Sequence, residues 1–308
     1  MRTNNLPTFL IIGAAKSGTT ALYQCLRQHP EIYMTPIKET NFFAFEGEEL
    51  KFTGVKQNES SLSYQKEIIT NWKNYEQQFA EVRGEKAIGE SCPSYLYIHK
   101  AAQRIYSYNP NIKLIIILRD PVERAYSNFL HHVRDRNEWT RNFISAVKAE
   151  PKRIEENWWW GFHYVQVSLY FKQVKRFLDL FGKNQTKVYL YQDYLSHPKY
   201  ILNDILNFLE VDNQHNFDLN AKYNAAGIPK NRILSEVINE PNFIKTAYQK
   251  IMPFSNIRHK ITKQFSSLNF SKKPSLSSEV RNILLPLFYE DILNLQDLIE
   301  RDLSSWLV

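Results

Sequence analysis

The amino-terminal segment carries the side chains best suited to bind an anion. An apolar run that ends at Ile12 is followed by Gly13 and then by the loop residues Ala15, Lys16, Ser17, Gly18, Thr19 and Thr20. Backbone N–H groups at the start of a helix are unpaired and carry partial positive charge, so they bind anions. Small residues let a phosphate approach the backbone, and Lys16 adds a full charge. The pattern predicts a phosphate-binding turn; the alternative is a strand-to-helix turn softened by glycine.

This loop differs from the phosphate loop of nucleotide triphosphatases. That loop places a lysine, and then a serine or threonine, directly after its last glycine. Here Lys16 precedes Gly18, so the lysine lies on the turn and not at the first helical residue. A P-loop-type nucleotide kinase or triphosphatase stays as an alternative, but the order of residues favours a different phosphate-bearing ligand.

A second cationic position follows the apolar run at 113–118, which ends at Arg119. Asp120 and Pro121 form a strong helix start, with the aspartate as N-cap and the proline as first helical residue. Open parallel sheets bind ligands at the carboxyl ends of their strands, where Arg119 is expected. Ser127, seven positions after the cap, shares a helix face with it. We interpret Arg119 and Ser127 as a second anion site; the alternative for Arg119 is a surface ion pair.

The order of elements along the chain is typical of a parallel sheet with helices on its faces, because short apolar runs alternate with longer helical patterns. Strands are expected at 9–12, 31–34, 86–89, 113–118 and 187–190. Helices are expected at 19–28, 100–108, 122–134, 165–181 and 199–209. The polar segment 46–63 predicts a surface excursion. The predicted fold is α/β: a single P-loop-like domain with a central parallel β-sheet flanked by helices.

The carboxyl-terminal part of the chain is less regular. Residues 241–274 are basic and interrupted by Pro253, which predicts an accessory helical segment. Helical periodicity returns over 276–307, with a break or kink at Pro286. No internal repeat or low-complexity tract is present, so we assign residues 1–308 to one domain with insertions.

The composition restricts the classes of partner. A chain of 308 residues with 43% hydrophobic and 14% aromatic content can bury a large core, which argues against disorder. The net charge of +7 suits an anionic ligand, and also a nucleic acid or a membrane surface. The basic residues are scattered, with no run of five or more, so no nucleic-acid partner is expected.

Localisation follows from two further features. No apolar run approaches the ~18 residues that a membrane span requires, and the first residues are short and polar, unlike a signal peptide. Cys25 and Cys92 lie far apart without metal-ligand spacing, and Cys25 falls near the buried side of the first helix. We therefore expect a reduced cytoplasmic protein with no membrane partner and no metal.

Together, the two anion-binding segments resemble those of the sulfotransferases that use 3′-phosphoadenosine 5′-phosphosulfate (PAPS). The resemblance is to the branch of bacterial sulfotransferases and heparan sulfate glucosaminyl sulfotransferases. The loop from Gly13 to Thr20 is similar to that family's 5′-phosphosulfate loop, and Arg119 and Ser127 fall on the arginine and serine of its 3′-phosphate segment. Further similar segments are Glu39-Thr40-Asn41-Phe42-Phe43, Gly89-Glu90-Ser91-Cys92-Pro93-Ser94-Tyr95, Gly161 with Tyr164, and the loop at 227–232.

The resemblance implies sulfuryl transfer from PAPS, with 3′-phosphoadenosine 5′-phosphate (PAP) as product and no metal. It implies that the loop holds the 5′-phosphate while Lys16 neutralises charge on the leaving oxygen, and that Glu39 is the general base. For Glu39 the alternative is a solvated loop charge; His131 and His132 are rival bases. The loop that closes over the cofactor in this family corresponds to Lys230, Asn231 and Arg232.

The acceptor is expected to be a small metabolite or a saccharide, sulfated on a hydroxyl or an amine. The candidate acceptor-binding residues are Phe42, Tyr95, His132, Trp159 and Tyr164. Three adjacent tryptophans at 158–160 cannot all face one core, so they either stack on an acceptor ring in a cleft or pack a loop across the sheet edge. These tryptophans favour a small molecule.

Overall fold

A computed structural model of the chain describes residues 7–54, 68–219 and 274–308. Within these ranges five parallel strands form one sheet, in the order β2-β3-β1-β4-β5. The strands are β1 (Phe9–Gly13), β2 (Ile32–Met34), β3 (Ala87–Ser91), β4 (Lys113–Leu118) and β5 (Thr186–Leu190). All the predicted strands are confirmed, with their ends shifted by no more than two residues.

Helices cover both faces of the sheet. In the described ranges they are α1 (Thr19–Leu26), α2 (Phe42–Phe45), α3 (Trp72–Glu76), α4 (Ser94–Tyr97), α5 (His99–Tyr108), α6 (Pro121–Arg134), α7 (Phe143–Lys148), α8 (Glu150–Glu155), α9 (Tyr170–Phe181), α10 (Tyr191–Ser196), α11 (Pro198–Leu209), α12 (Ser278–Leu284) and α13 (Tyr289–Ile299). The five predicted helices correspond to α1, α5, α6, α9 and α11. The short helices α2, α3, α4, α7, α8 and α10 were not predicted, because one or two turns are too few to show a helical period.

Two of the predicted helical segments are each interrupted by a 3₁₀ turn. The pattern at 165–181 is divided into a 3₁₀ turn, Gln166–Ser168, and α9. The expected break at Pro286 is confirmed, since a 3₁₀ turn at Leu285–Leu287 separates α12 from α13. Proline has no backbone N–H to continue the helical hydrogen bonds, so the chain changes direction there.

The central strands are buried on both faces, which explains why their sequences are continuous apolar runs. Successive side chains of a strand point to opposite sides. Leu10 and Ile116 therefore join the core beneath α5, α6 and α9. Ile11 and Ile115 join the second core, beneath α1 and α11.

The strand order brings several loops to one edge of the sheet. From β1 the chain runs to β2 on one side, and from β3 it passes β1 to reach β4 on the other side. The loops after β1 and β4 therefore leave from adjacent carboxyl ends, and those after β2 and β3 leave from the same edge. In open parallel sheets this switch point is where ligands bind.

The remaining expectations concern peripheral segments. The accessory segment predicted at 241–274 lies outside the described residues, except for Pro274. The described part of the predicted surface excursion, 46–54, packs Leu50 and Phe52 against the core. In the described ranges, no helix combines the length and the hydropathy needed to cross a bilayer.

Candidate active site

The loop after β1 is a tight turn that leads into α1. Ala14 N donates to Ile117 O of β4 at 2.8 Å, and Ser17 N donates to Ala14 O at 3.2 Å. Lys16 and Gly18 both adopt the left-handed region, with φ of 67° and 93°. A side chain at Gly18 would be strained by this φ, and its Cβ would lie 2.9 Å from the Tyr191 ring. The turn therefore delivers the unpaired N–H groups of α1 to the carboxyl edge of the sheet.

Lys16 is a desolvated cation surrounded by charges of both signs. Burial lowers the pKa of Lys16 to about 8, and the Arg134 guanidinium adds to the lowering. The carboxylates of Glu39 and Asp135 act in the opposite direction. The structure thus brings Lys16 and Glu39, the two predicted catalytic residues, within electrostatic reach of each other.

Two buried hydroxyls lie close together here, those of Ser17 in the loop and of Tyr170 at the start of α9. Ser17 is fully buried. Among the described residues, no partner satisfies hydrogen-bond geometry for Ser17 Oγ or for Tyr170 Oη. Burial raises the pKa of the Tyr170 phenol, against smaller opposing effects of Arg124 and of the nearby Ser17 hydroxyl. An unsatisfied buried hydroxyl costs about 1–3 kcal/mol, so this cradle gains from a bound acceptor of hydrogen bonds.

Arg119 connects the two anion-binding segments. Its Nη1 donates to Lys16 O at 3.4 Å, and its Nη2 donates to Glu123 Oε2 at 2.8 Å. The guanidinium lies 5.2 Å from the centre of the Tyr191 ring. The predicted second site therefore adjoins the first, and the ion pair predicted as the alternative for Arg119 is also present, with Glu123.

The helix start after Arg119 has the expected geometry. Asp120 Oδ1 accepts from Glu123 N at 2.9 Å, and Pro121 is the first helical residue. The Asp120 carboxylate also pairs with Arg281 at 2.8 Å, which ties α12 to this segment. Ser127 lies two turns further along α6 and is 8% exposed.

Glu39 lies in the loop that follows β2. Its backbone N donates to Ser91 O at 3.0 Å, and its φ is 68°. The side chain is 44% exposed, and its carboxylate pairs with the Lys38 ammonium. The pairing with Lys38 matches the alternative of a solvated charge, and the role of Glu39 as general base stays a prediction.

The two adjacent histidines have different surroundings. His132 is buried, its Nε2 lies 2.9 Å from Gly161 O, and its ring stacks on Phe162. Burial lowers the pKa of His132 to about 4. His131 is half-buried and receives a hydrogen bond from Arg134 Nη2 at 2.6 Å. Burial and the Lys16 ammonium both hold the pKa of His131 well below its ordinary value. The Lys16 ammonium also contributes to the lowering of the pKa of His132, as the last of its causes.

Three predicted acceptor residues lie in the interior. Tyr95 is fully buried and donates to Glu90 Oε1 at 2.7 Å. Phe42 is fully buried and stacks on Tyr75, with ring centres 4.1 Å apart. Tyr164 is fully buried and donates to Glu138 Oε2 at 2.6 Å. Each is part of the packing beneath the site, and its contact with an acceptor stays a prediction.

The three tryptophans are all half-buried against the larger core, and the rings of Trp159 and Trp160 lie 5.4 Å apart. Trp159 meets Phe52 edge-on at 4.9 Å, and Trp158 meets Phe162 edge-on at 5.4 Å. The Trp160 ring lies 6.4 Å from that of Tyr97. The indoles pack against the core and each keeps a partly exposed surface, so stacking of an acceptor on Trp159 stays a prediction.

Sequence reasoning missed Arg134 and Asp135, which contribute to the electrostatics of Lys16. A signal was available, because Ser127, His131 and Arg134 recur at spacings of four and three on one face of α6. The predicted closing residues Lys230, Asn231 and Arg232 lie outside the described residues. Within the described ranges, no three His, Cys, Asp or Glu side chains are grouped so as to hold a metal ion.

Comparison with known proteins agrees with this architecture. A crystal structure of a sulfotransferase from Alicyclobacillus acidocaldarius is 31% identical, superposes with a TM-score of 0.74, and is matched over 98% of each chain. Heparan sulfate glucosamine 3-O-sulfotransferase 5 of Homo sapiens is 27% identical, over 70% of this chain and 58% of its own. Membrane-associated sulfotransferase kil1 of Dictyostelium discoideum is 34% identical, over 40% of this chain and 22% of its own.

This chain thus spans from about a fifth to three fifths of the length of these two curated relatives. Residues 7–215, which include all the described strands and both anion-binding segments, match the family model described as "Sulfotransferase family". The chain therefore belongs to the sulfotransferase family of enzymes.

Proposed function

We propose that this protein transfers the sulfuryl group of PAPS to a hydroxyl or amine of a small metabolite or saccharide, and releases PAP. The observation that carries the proposal is the contact between Arg119 Nη1 and Lys16 O. Through it, two cationic elements adjoin each other at the carboxyl ends of β1 and β4. A donor with a 5′-phosphosulfate and a separate 3′-phosphate requires two such elements side by side.

The residues present suit this donor. Ser17 offers a fully buried hydroxyl that lacks a satisfying partner among the described residues, and Gly18 supplies the left-handed φ that the turn requires. With Ala15, Thr19 and Thr20, they would hold the 5′-phosphosulfate. Arg119 and Ser127 would hold the 3′-phosphate. Lys230, Asn231 and Arg232 are proposed to complete the binding of the donor.

Lys16 and Glu39 would carry the chemistry. PAPS supplies an activated sulfuryl group, and the protein contributes mainly positioning and charge stabilisation. A pKa near 8 leaves Lys16 largely protonated at neutral pH, and its desolvation strengthens its effect on charge that grows on the leaving oxygen. Glu39 would accept the proton that the acceptor hydroxyl or amine loses as it attacks.

The family assignment removes the nucleotide-kinase alternative, but two acceptor classes stay open. The relatives named for heparan sulfate act, by those names, on a saccharide. The half-buried aromatic group of Phe52 and Trp159 favours a compact ring that can stack. Both classes present a hydroxyl or amine to Glu39, so the proposed mechanism is the same for either.

Calorimetric titration with PAP, beside ADP and magnesium, tests the proposal. We expect tight binding of PAP that does not depend on magnesium, and much weaker binding of ADP. Adenosine 5′-phosphosulfate is the control, because it contains the adenosine 5′-phosphate of PAP, extended by a sulfate, and lacks the 3′-phosphate. Preference for ADP with magnesium would overturn the proposed donor, and equal binding of PAP and adenosine 5′-phosphosulfate would overturn the second anion site.

A further inference from the structure

The end of β3 buries a carboxylate that the proposed chemistry does not use. Glu90 is fully buried and accepts hydrogen bonds from three hydroxyls: those of Thr40, Tyr95 at 2.7 Å and Tyr75 at 2.8 Å. Among the described residues, no lysine, arginine or histidine forms an ion pair with it. Burial raises the pKa of the Glu90 carboxyl, and the hydroxyl donors oppose that rise. Such a group is expensive to bury, so its retention calls for a reason other than stability.

One of the three hydroxyls belongs to the loop that carries Glu39. Thr40 lies between Glu39 and Asn41, whose φ values of 68° and 57° place both in the left-handed region. This region is unfavourable for residues other than glycine, and persists only where surrounding contacts enforce it. Here, the contacts come from the loop itself, from the end of β3, from Ser94 at the start of α4, and from Ile69, whose N–H donates to Thr40 O at 2.9 Å.

Several hydrogen bonds enforce the turn. Asn41 Nδ2 donates to Glu39 O at 2.7 Å, and the Ser94 hydroxyl donates to Asn41 Oδ1 at 2.7 Å. Glu39 N donates to Ser91 O at 3.0 Å, and the Thr40 hydroxyl donates to Glu90. The last two residues of β3 therefore hold two adjacent residues of the loop. Ser91 binds the backbone of Glu39, and Glu90 binds the side chain of Thr40.

We propose that Glu90 is a positioning residue for Glu39, acting through the Thr40 hydroxyl. This inference rests on the proposed role of Glu39 as general base. Glu90 does not touch the donor or the acceptor; it maintains the left-handed turn from which the Glu39 carboxylate reaches the acceptor. When the turn relaxes, proton transfer slows because the base is displaced, while donor binding at β1 and β4 stays intact.

Tyr75 supplies a matched control. Its hydroxyl donates to Glu90 Oε2, the other oxygen of the same carboxylate, but it comes from α3 and not from the Glu39 loop. Tyr75→Phe and Thr40→Val each remove one hydroxyl donor from Glu90 and preserve the shape of the side chain. Thr40→Val also removes the contacts of Thr40 Oγ1 with Phe42 N at 3.3 Å and with Tyr95 Oη at 3.1 Å. A purely structural role of Glu90 predicts similar effects of the two variants on turnover.

The experiment compares kcat, the KM for PAPS, the Kd for PAP and the thermal midpoint in these two variants and in Thr40→Ser. We expect Thr40→Val to lower kcat by about 10- to 100-fold, with the KM and Kd within twofold of wild type. Thr40→Ser retains the hydroxyl and should restore kcat to within threefold. Tyr75→Phe should lower the thermal midpoint as much as Thr40→Val does, yet keep kcat within threefold.

Equal losses of kcat in Thr40→Val and Tyr75→Phe, or no loss in Thr40→Val, would overturn the positioning role. Should Thr40→Val fail to fold, Glu90→Asp takes its place, because it keeps the charge and retracts the acceptor by one methylene. Glu39→Gln separates the two hypotheses. If Glu39→Gln keeps normal turnover, the general-base role itself fails; if Glu39→Gln is inactive and Thr40→Val is normal, only the positioning role fails.

Discussion

Arg119 and Lys16 are joined through the main chain: the Arg119 guanidinium donates to the Lys16 carbonyl at 3.4 Å. The same guanidinium pairs with Glu123 and lies over the Tyr191 ring. Two residues that are 103 positions apart in the sequence are thus held at the meeting point of β1 and β4. This arrangement leads to separate expectations for each cation.

Arg119→Ala should weaken the binding of PAP much more than the binding of adenosine 5′-phosphosulfate. Hydrogen bonds to charged groups contribute about 1.5–3 kcal/mol, so we expect a loss of about 10- to 100-fold in PAP affinity. Calorimetry with both ligands checks this. Arg301→Ala, which removes an exposed arginine paired with Asp193, is the control and should leave both affinities unchanged. Equal weakening of the two ligands by Arg119→Ala would show that Arg119 does not read the 3′-phosphate.

Lys16→Ala should lower turnover without lowering stability. Removing one group that stabilises developing charge costs about 10²- to 10³-fold in kcat. The ammonium is desolvated, so its removal should leave the thermal midpoint unchanged or raised. Steady-state kinetics and thermal unfolding of the same preparation provide the two measurements. Near-normal sulfation by Lys16→Ala would contradict the role assigned to this residue.

The pH dependence of catalysis should report the charge of Lys16. Because burial lowers the pKa of Lys16 to about 8, kcat/KM for PAPS at saturating acceptor should fall as the pH rises above about 8. Lys16→Arg keeps its charge over this range, so any activity it retains should lack that fall. Persistence of the same fall in Lys16→Arg would assign it to another group.

The lowered pKa of Lys16 also affects stability. As the pH rises, activity should fall, but the contribution of Lys16 to stability should increase. Between about pH 8 and the ordinary value of 10.5, the unfolded chain binds more protons at Lys16 than the folded chain does. The contribution of Lys16 to the free energy of unfolding should therefore increase with pH across this window. Comparing urea unfolding of wild type and Lys16→Met at pH 7.5 and 9.5 measures this contribution. A difference between the two proteins that does not change with pH would contradict the expectation.

A buried ion pair beneath the site should matter for stability. Arg153 donates to both oxygens of Glu138, at 2.8 and 2.7 Å, and both side chains are nearly inaccessible. Glu138→Gln leaves a buried guanidinium without its counter-charge, which typically costs about 3–5 kcal/mol. Asp179→Asn breaks the exposed pair with Lys175 and should cost less than about 1 kcal/mol. Urea denaturation of the two variants measures the loss of unfolding free energy in each. Similar losses would show that the buried pair contributes no more to stability than the exposed pair.

Local signals in the sequence predicted much of the fold. The strands around β1 and β4 were visible because burial on both faces requires uninterrupted apolar runs. The start of α6 could be predicted because Asp120, as N-cap, and Pro121, as first helical residue, favour a helix start within one turn of their own positions. Both anion-binding segments lie at the junction of such a strand with such a helix, so their place at the sheet edge followed from the order of the elements.

The different surroundings of His131 and His132 could not be inferred in this way. Adjacent residues of a helix face different directions, and which of them is buried against Gly161 and Phe162 depends on how α6 packs against the rest of the chain. The fully buried positions of Phe42, Tyr95 and Tyr164 were hidden for a similar reason. Their surroundings are formed by elements such as α3, which is too short to show a helical period in the sequence.

By itself, then, the sequence determined the sheet, the two cationic segments and the family to which the chain belongs, because each depends on residues close together along the chain. Only the tertiary structure decided that Thr40 meets Glu90, 50 positions away, and that Arg119 meets Lys16. The physical reason is that a hydrogen bond or a desolvation cost depends on distance in space. The chain's long-range packing sets that distance, and no local pattern records it.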